Sequence, residues 1–139
     1  MANIVLLSSS VVFFIVVILS KLHCNVPNYL FISSYILGIT SILNHKNCCK
    51  NLRIIDRTYA CIYLVSMVTL IINKKLNYLL KYIFSGVLSI TLAIYLRSHF
   101  NNNELNKEEV FSLCTILHLY SHCILILVYL YLVMYENNI

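Results

Sequence analysis

Long apolar runs alternate with short polar stretches along most of the chain. Each run is close to the roughly 20 residues that an α-helix needs to cross the hydrocarbon core of a bilayer. Lys or Arg residues follow most of the runs, as expected of side chains that anchor helix ends at lipid headgroups. The pattern predicts five transmembrane helices, with approximate ranges 4–20, 29–45, 54–72, 77–96 and 110–135.

The composition agrees with this pattern. Of the 139 residues, 60% are hydrophobic and 11% are charged, and the mean hydropathy is +0.84. These values lie far outside the range of soluble domains. No stretch is long enough to be a linker between two units. The chain is therefore predicted to be an all-α membrane protein, integral and multi-pass, that forms a single helical domain over residues 1–139.

The first apolar run has no basic residue before it, whereas a secretory signal peptide carries a basic region there. We interpret this run as a transmembrane helix, and a signal peptide or anchor is the alternative. The net charge of +5 is spread over Lys and Arg residues between apolar runs, which is not a nucleic-acid-binding pattern. The expected partner is the lipid bilayer.

Two histidines, His118 and His122, interrupt the last apolar run. Residues four apart lie on the same face of a helix, one turn above the other. Polar side chains are costly inside a bilayer and usually line a functional site. The pair therefore indicates a site within the membrane.

The second predicted helix carries a row of small and polar residues at spacings of four, three and four: Ser34, Gly38, Ser41 and His45. This spacing keeps the row on one helix face. A seam of small residues for close helix packing is the simpler interpretation, but it does not explain the histidine at its end.

The third predicted helix carries Asp56, the only aspartate in the chain, in its first turn. Taken alone, this carboxylate is also explained by the helix dipole or by pairing with Arg53 or Arg57. Residues 46–53, which precede the helix, are predicted to form a basic loop.

Five crossings determine which helix ends share a membrane face. The three histidines, Ser41 and Asp56 all fall toward the face that holds residues 46–53, whereas His23 falls on the other face and His99 in a loop. Six of the ten Lys and Arg residues also fall on that face, which predicts that it is cytoplasmic. We therefore expect these five polar residues to form one site toward the cytoplasmic leaflet.

His45 and His118 can bind one metal ion only if they lie at the same depth in the membrane. His118 lies about eight residues into its predicted helix, roughly 12 Å by helical rise, whereas His45 lies at a helix end. The two meet if the second helix continues past His45 toward Cys49, or if the fifth begins near Leu105. The sequence leaves both arrangements open.

Three neutral imidazoles with an open fourth position are typical of a catalytic Zn²⁺ site, in which the pKa of the bound water is about 7. Asp56 would then act as general base or orient a histidine ligand. Ser41 would hydrogen-bond the carboxylate or a developing oxyanion. A di-iron site needs more ligands than five histidines give, and bis-histidine haem leaves Asp56 and Ser41 without a function.

The pattern Ser-x-x-x-His, then Asp, then His-x-x-x-His resembles the CREST superfamily of membrane hydrolases. This superfamily includes alkaline ceramidases, progestin and adipoQ receptors, hemolysin III proteins and Per1 proteins. The gap of eleven from His45 to Asp56 is similar to the ceramidase branch, and the stretch 52–56 to the hemolysin III version of the motif. The resemblance implies a shortened member of a seven-helix fold, with two helices missing between Asp56 and His118. Losing a pair of helices preserves which ends share a face.

By this resemblance, His45, His118 and His122 are the zinc ligands, and Asp56 and Ser41 are the catalytic acid and serine. The expected function is a membrane-embedded, zinc-dependent hydrolase of a lipid amide or ester, ceramidase-like, with a zinc-bound water as nucleophile. The alternative is a non-enzymatic, receptor-like or structural multi-pass protein that retains a zinc site. Five helices are few for enclosing a site, which leaves room for a homo-oligomer.

Overall fold

A computed structural model describes residues 4–47, 49–100 and 113–136. Within these residues the chain is all-helical, with five α-helices: α1 (Ile4–His23), α2 (Asn28–Asn47), α3 (Lys50–Asn73), α4 (Tyr78–Phe100) and α5 (Leu113–Glu136). Three of them are long and apolar enough to cross a membrane: α1, α3 and the stretch Thr115–Met134 of α5. The apolar part of α4, Tyr78–Ile94, is shorter. The helical content and these three spans are those of a membrane protein.

The boundaries of α2 and α3 differ from the predicted ones. The predicted basic loop over residues 46–53 is wrong in extent, because α2 continues to Asn47 and α3 begins at Lys50. Cys49 has an extended backbone, and its carbonyl accepts the amide of Arg53 at 3.0 Å. Hydropathy shows where the apolar part of a helix ends, but a helix can continue through the polar residues that follow. The predicted loop was therefore too long. The extension carries α2 past His45.

A similar extension occurs in α4, which continues to Phe100. His99, which the sequence analysis placed in a loop, therefore lies in the last turn of that helix. Residues 110–112 of the predicted fifth helix, and Leu105, lie outside the described residues.

Two four-residue turns join α1 to α2 and α3 to α4, and each turn places a residue suited to a helix start. Pro27 precedes α2, and its carbonyl accepts the amide of Phe31 at 2.9 Å. Asn77 precedes α4, and its side-chain oxygen accepts the amide of Leu80 at 2.8 Å. Proline has no amide to leave unsatisfied at a helix start, and asparagine caps a free one. Short turns of this kind make consecutive helices antiparallel neighbours.

The core lies between α1, α2, α3 and α5. Phe13, Tyr63 and Tyr129 form its aromatic layer, with ring centroids 5.7 to 6.5 Å apart. The Tyr129 hydroxyl is 2.7 Å from Ser20 Oγ across the α1–α5 contact. Packing is closest between α2 and α3 and between α1 and α2, whereas α4 lies mainly on α5 and contacts α3 sparsely.

Several small side chains are buried between the helices and several large apolar ones face outward, as expected for a helix bundle in lipid. Serines are among the most buried side chains, including Ser10, Ser34 and Ser121, which are 1% exposed or less. Large apolar side chains such as Val65 and Leu127 are more than half exposed. Small residues let helices approach closely when lipid offers apolar side chains an equally good environment outside.

The two glycines offer a matched test of this packing. A Cβ on Gly38 would lie 2.7 Å from Phe14 Cδ2 and 3.2 Å from Phe14 Cβ, whereas a Cβ on Gly86 would meet nothing within 4 Å. We expect Gly38→Ala to lower the free energy of unfolding by about 1–3 kcal/mol through overpacking of α1 on α2. Gly86→Ala should be neutral or stabilising, because glycine disfavours a helix. Unfolding of both variants by SDS in mixed micelles measures the difference; equal effects would contradict the close α1–α2 contact.

Candidate metal centre

Three imidazoles converge at one end of the helix bundle. His118 and His122 project from α5, and His45 projects from the last turns of α2. One ring nitrogen from each of the three lies within 4.8 Å of the others. The Nε2 atoms of His118 and His122 are 3.0 Å apart. Among the described residues, these three histidines form a group that could bind a metal ion.

The local sequence explains how the cluster forms. The four-residue spacing brings the rings of His118 and His122 together edge to face, with centroids 4.7 Å apart. The ring of His45 stands nearly perpendicular to that of His118, with centroids 5.2 Å apart. Of the two arrangements that would let these residues meet, the continuation of α2 past His45 is present.

Asp56 lies beside this cluster on α3 and is 4% exposed. The side-chain amide of Asn44 donates to its Oδ2 at 2.9 Å. Its other oxygen, Oδ1, is buried and has no hydrogen-bond partner among the described residues. One carboxylate oxygen is therefore held by α2, and the other is free to accept a proton or a hydrogen bond.

Ser41 is buried one turn before His45, and its hydroxyl is 2.9 Å from that of Ser10 on α1. Ser10 Oγ donates its proton to the carbonyl of Leu6, also at 2.9 Å. Because a hydroxyl has a single proton, Ser41 is the donor in the Ser41–Ser10 pair. The sequence predicts that this hydroxyl hydrogen-bonds the carboxylate or an oxyanion. In the structure its proton is donated to Ser10 on α1, and its lone pairs can still accept hydrogen bonds.

A cavity of about 50 Å³ joins these groups. This volume is enough for a few water molecules. Its polar lining residues are Ser10, Ser41, Asp56, Thr91, His118, Ser121 and His122. Its apolar lining residues are Phe13, Leu37, Ala60, Leu64, Leu92 and Leu125. The cavity therefore brings a carboxylate and two imidazoles against hydrocarbon.

Of the five residues predicted for the site, Ser41, Asp56, His118 and His122 line the cavity. His45 does not line it, but a ring nitrogen of His45 lies within 4.8 Å of those of His118 and His122. Five polar residues of the site were missed: Ser9 and Ser10 on α1, Asn44 on α2, Thr91 on α4 and Ser121 on α5. A signal for the first two was present, since residues 8–10 are three consecutive serines inside an apolar run. His23 lies at the far end of α1 and is not part of the cluster.

Comparison of the chain with protein-family models, with curated proteins and with solved structures gave no match in any of the three. A functional assignment therefore has to be argued from the site.

The Asn44–Asp56 contact generates a stability prediction. Asn44→Ala would leave a buried carboxylate oxygen without its donor, which costs about 1–3 kcal/mol. Asn47→Ala, at the exposed end of the same helix, is the matched control and should have little effect. SDS-induced unfolding measures both. In an Asp56→Leu background the Asn44→Ala effect should shrink, and an undiminished effect would show that the two side chains are not coupled.

Proposed function

We propose that this chain is a zinc-dependent hydrolase embedded in the membrane, which cleaves an amide or ester bond of a lipid. The convergence of the ring nitrogens of His45, His118 and His122 carries the proposal. Two of the three ligands come from one helix turn and the third from another helix, so the site depends on the folded bundle.

The spacing of the imidazoles fits a single zinc ion. Two nitrogens bound tetrahedrally at 2.0–2.1 Å would be about 3.3 Å apart, and those of His118 and His122 are 3.0 Å apart. A ring nitrogen of His45 lies within 4.8 Å of those of the other two histidines. Histidine nitrogens are ligands that zinc prefers, and three of them leave the fourth position open. The cavity of about 50 Å³ favours a metal ion over haem.

When bound, zinc would polarise a carbonyl oxygen and make hydroxide available at neutral pH. The protein's own groups would then handle the protons. Asn44 holds Oδ2 of Asp56 and leaves Oδ1 as an acceptor beside the cavity, so Asp56 is the general base for a water molecule there. Ser41 donates to Ser10, so its lone pairs orient that water by accepting a hydrogen bond.

The apolar residues that line the cavity support a lipid substrate. Ala60 and Leu64 on α3, and Leu92 on α4, line the cavity and are also partly exposed at the surface. In a bundle with three membrane-spanning helices, that surface would meet acyl chains. The substrate bond would therefore reach the polar groups from the bilayer. In this proposal all five helices cross the membrane and the site lies toward the cytoplasmic leaflet.

The same residues support the resemblance to the CREST superfamily. The Ser-x-x-x-His, Asp and His-x-x-x-His elements are far apart in the sequence, and their side chains line or adjoin one cavity. We propose that the chain is a shortened member, in which a pair of helices between Asp56 and His118 is missing.

A second candidate function is a non-enzymatic, receptor-like or structural protein that uses zinc to tie α2 to α5. The enclosed volume favours it, because about 50 Å³ admits only a small part of a lipid.

The metal proposal predicts one zinc per chain. Purified protein should bind zinc stoichiometrically, and His45→Ala, His118→Ala or His122→Ala should each weaken binding at least tenfold. His23→Ala is the control, because His23 lies at the other end of the bundle. Elemental analysis and competition with a chromophoric chelator measure this. Wild-type protein that holds no zinc above the level of the triple-alanine variant would overturn the proposal.

The catalytic proposal predicts that Asp56→Asn, which keeps the shape and can still bond Asn44, retains zinc and lowers hydrolysis by about 10²–10⁴-fold, as is typical when a general base is lost. The measurement is release of fatty acid from ceramide, and from single-chain amides and esters, in reconstituted vesicles. Zinc-loaded protein that hydrolyses none of them would favour the non-enzymatic function. Equal hydrolysis by both forms would show that Asp56 is not the general base.

A further inference from the structure

Helix α1, which is otherwise largely apolar, places the polar side chain of Ser9 beside the candidate metal centre. Ser9 is half-buried on the face of α1 that packs against α5. Its hydroxyl oxygen is 2.8 Å from Nδ1 of His122 and 2.9 Å from the carbonyl oxygen of Leu6. The imidazole nitrogen on the other side of the ring, Nε2, is the one that lies 3.0 Å from His118.

The two contacts of Ser9 define the direction of the hydrogen bond to His122. A carbonyl oxygen can only accept, so the bond to Leu6 uses the single proton of the Ser9 hydroxyl. The hydroxyl therefore accepts from His122, and Nδ1 of that ring carries a proton. In a neutral imidazole, Nε2 then carries the lone pair, and this atom faces Nε2 of His118 at 3.0 Å.

We propose that Ser9 is a positioning residue, which holds His122 in the tautomer protonated at Nδ1 and thereby presents Nε2 as a ligand. The proposal deepens the metal-site proposal and, for its functional meaning, rests on it. Hydrogen bonds from the outer nitrogen of a metal-binding histidine orient the ring and select its tautomer. Here the acceptor is a serine on the first helix of the chain.

The neighbouring serine provides a matched control within the same helix turn. Ser8 donates to the carbonyl of Ile4 at 2.8 Å, as Ser9 does to Leu6, but Ser8 is exposed on the outer face of α1. Ser8→Ala thus removes a serine and its bond to the backbone without touching His122. A pair of equal-shaped variants, Ser9→Thr and Ser9→Val, isolates the hydroxyl, because threonine in a helix can form the same backbone bond.

The first measurement reads the tautomer without metal or activity. Nitrogen-15 NMR of histidine-labelled, metal-free protein in micelles, with His122→Gln to assign the signals, distinguishes a protonated Nδ1 from a protonated Nε2. In wild type, Ser8→Ala and Ser9→Thr, we expect His122 to be protonated at Nδ1. In Ser9→Ala and Ser9→Val, we expect a mixture of tautomers or the Nε2-protonated form.

The second measurement is zinc affinity by chelator competition. Ser9→Ala and Ser9→Val should bind zinc about 10–100-fold more weakly, the usual loss for an outer hydrogen-bond partner. Ser9→Thr should restore most of the affinity, and Ser8→Ala should match wild type.

The outcomes separate this proposal from the metal proposal. If wild-type protein binds no zinc but the tautomer of His122 still depends on the Ser9 hydroxyl, the metal proposal fails and the positioning of His122 stands. If zinc binds stoichiometrically but Ser9→Val leaves both tautomer and affinity unchanged, the Ser9 proposal fails alone. If Ser9→Ala does not fold, the Ser9→Thr and Ser9→Val comparison decides.

Discussion

The structure depends on satisfying polar groups where no bulk water is available. Burying an unpartnered polar group costs several kcal/mol in an apolar environment, and the bundle buries an aspartate, an asparagine and many hydroxyls. Polar groups on one helix form hydrogen bonds with polar groups on its neighbour. Asn44 of α2 donates to Asp56 of α3, and Ser10 of α1 accepts a hydrogen bond from Ser41 of α2. These polar contacts, together with close packing, determine how the helices are rotated about their axes.

The polar contacts fall into two layers along the bundle. One layer contains the histidines, Asp56 and the paired serines. The other is the aromatic layer of Phe13, Tyr63 and Tyr129, where one polar bond joins Ser20 to Tyr129. The second layer is almost fully buried, with Tyr63 and Tyr129 both 0% exposed. It provides tight packing, so that the first layer can contain a cavity.

Much of the fold could be predicted from the sequence, because apolar runs separated by basic turns have few solutions in a membrane. The grouping of His45, Asp56 and the His118–His122 pair also could be predicted, since helix count decides which ends lie together. The start of α3 was missed because three of the four residues from Lys50 to Arg53 are polar, and hydropathy does not register a helix that continues beyond the apolar region.

The contributions of Ser9, Ser10 and Asn44 could not be predicted with the same rules. A serine inside a helix usually bonds the carbonyl one turn before it, as Ser8, Ser9 and Ser10 of α1 do. In the sequence, a serine that also contacts another helix looks the same as one that does not. Which serine faces inward depends on the rotation of α1, which is decided by tertiary packing such as Phe14 against Gly38.

The two helices that carry His45 and Asp56 follow each other closely in the chain, since α2 ends at Asn47 and α3 begins at Lys50. A change of chain length there would rotate or shift α3 relative to α2 and part Asp56 from Asn44. Homologues of this chain should therefore keep the spacing from residue 44 to residue 56 unchanged.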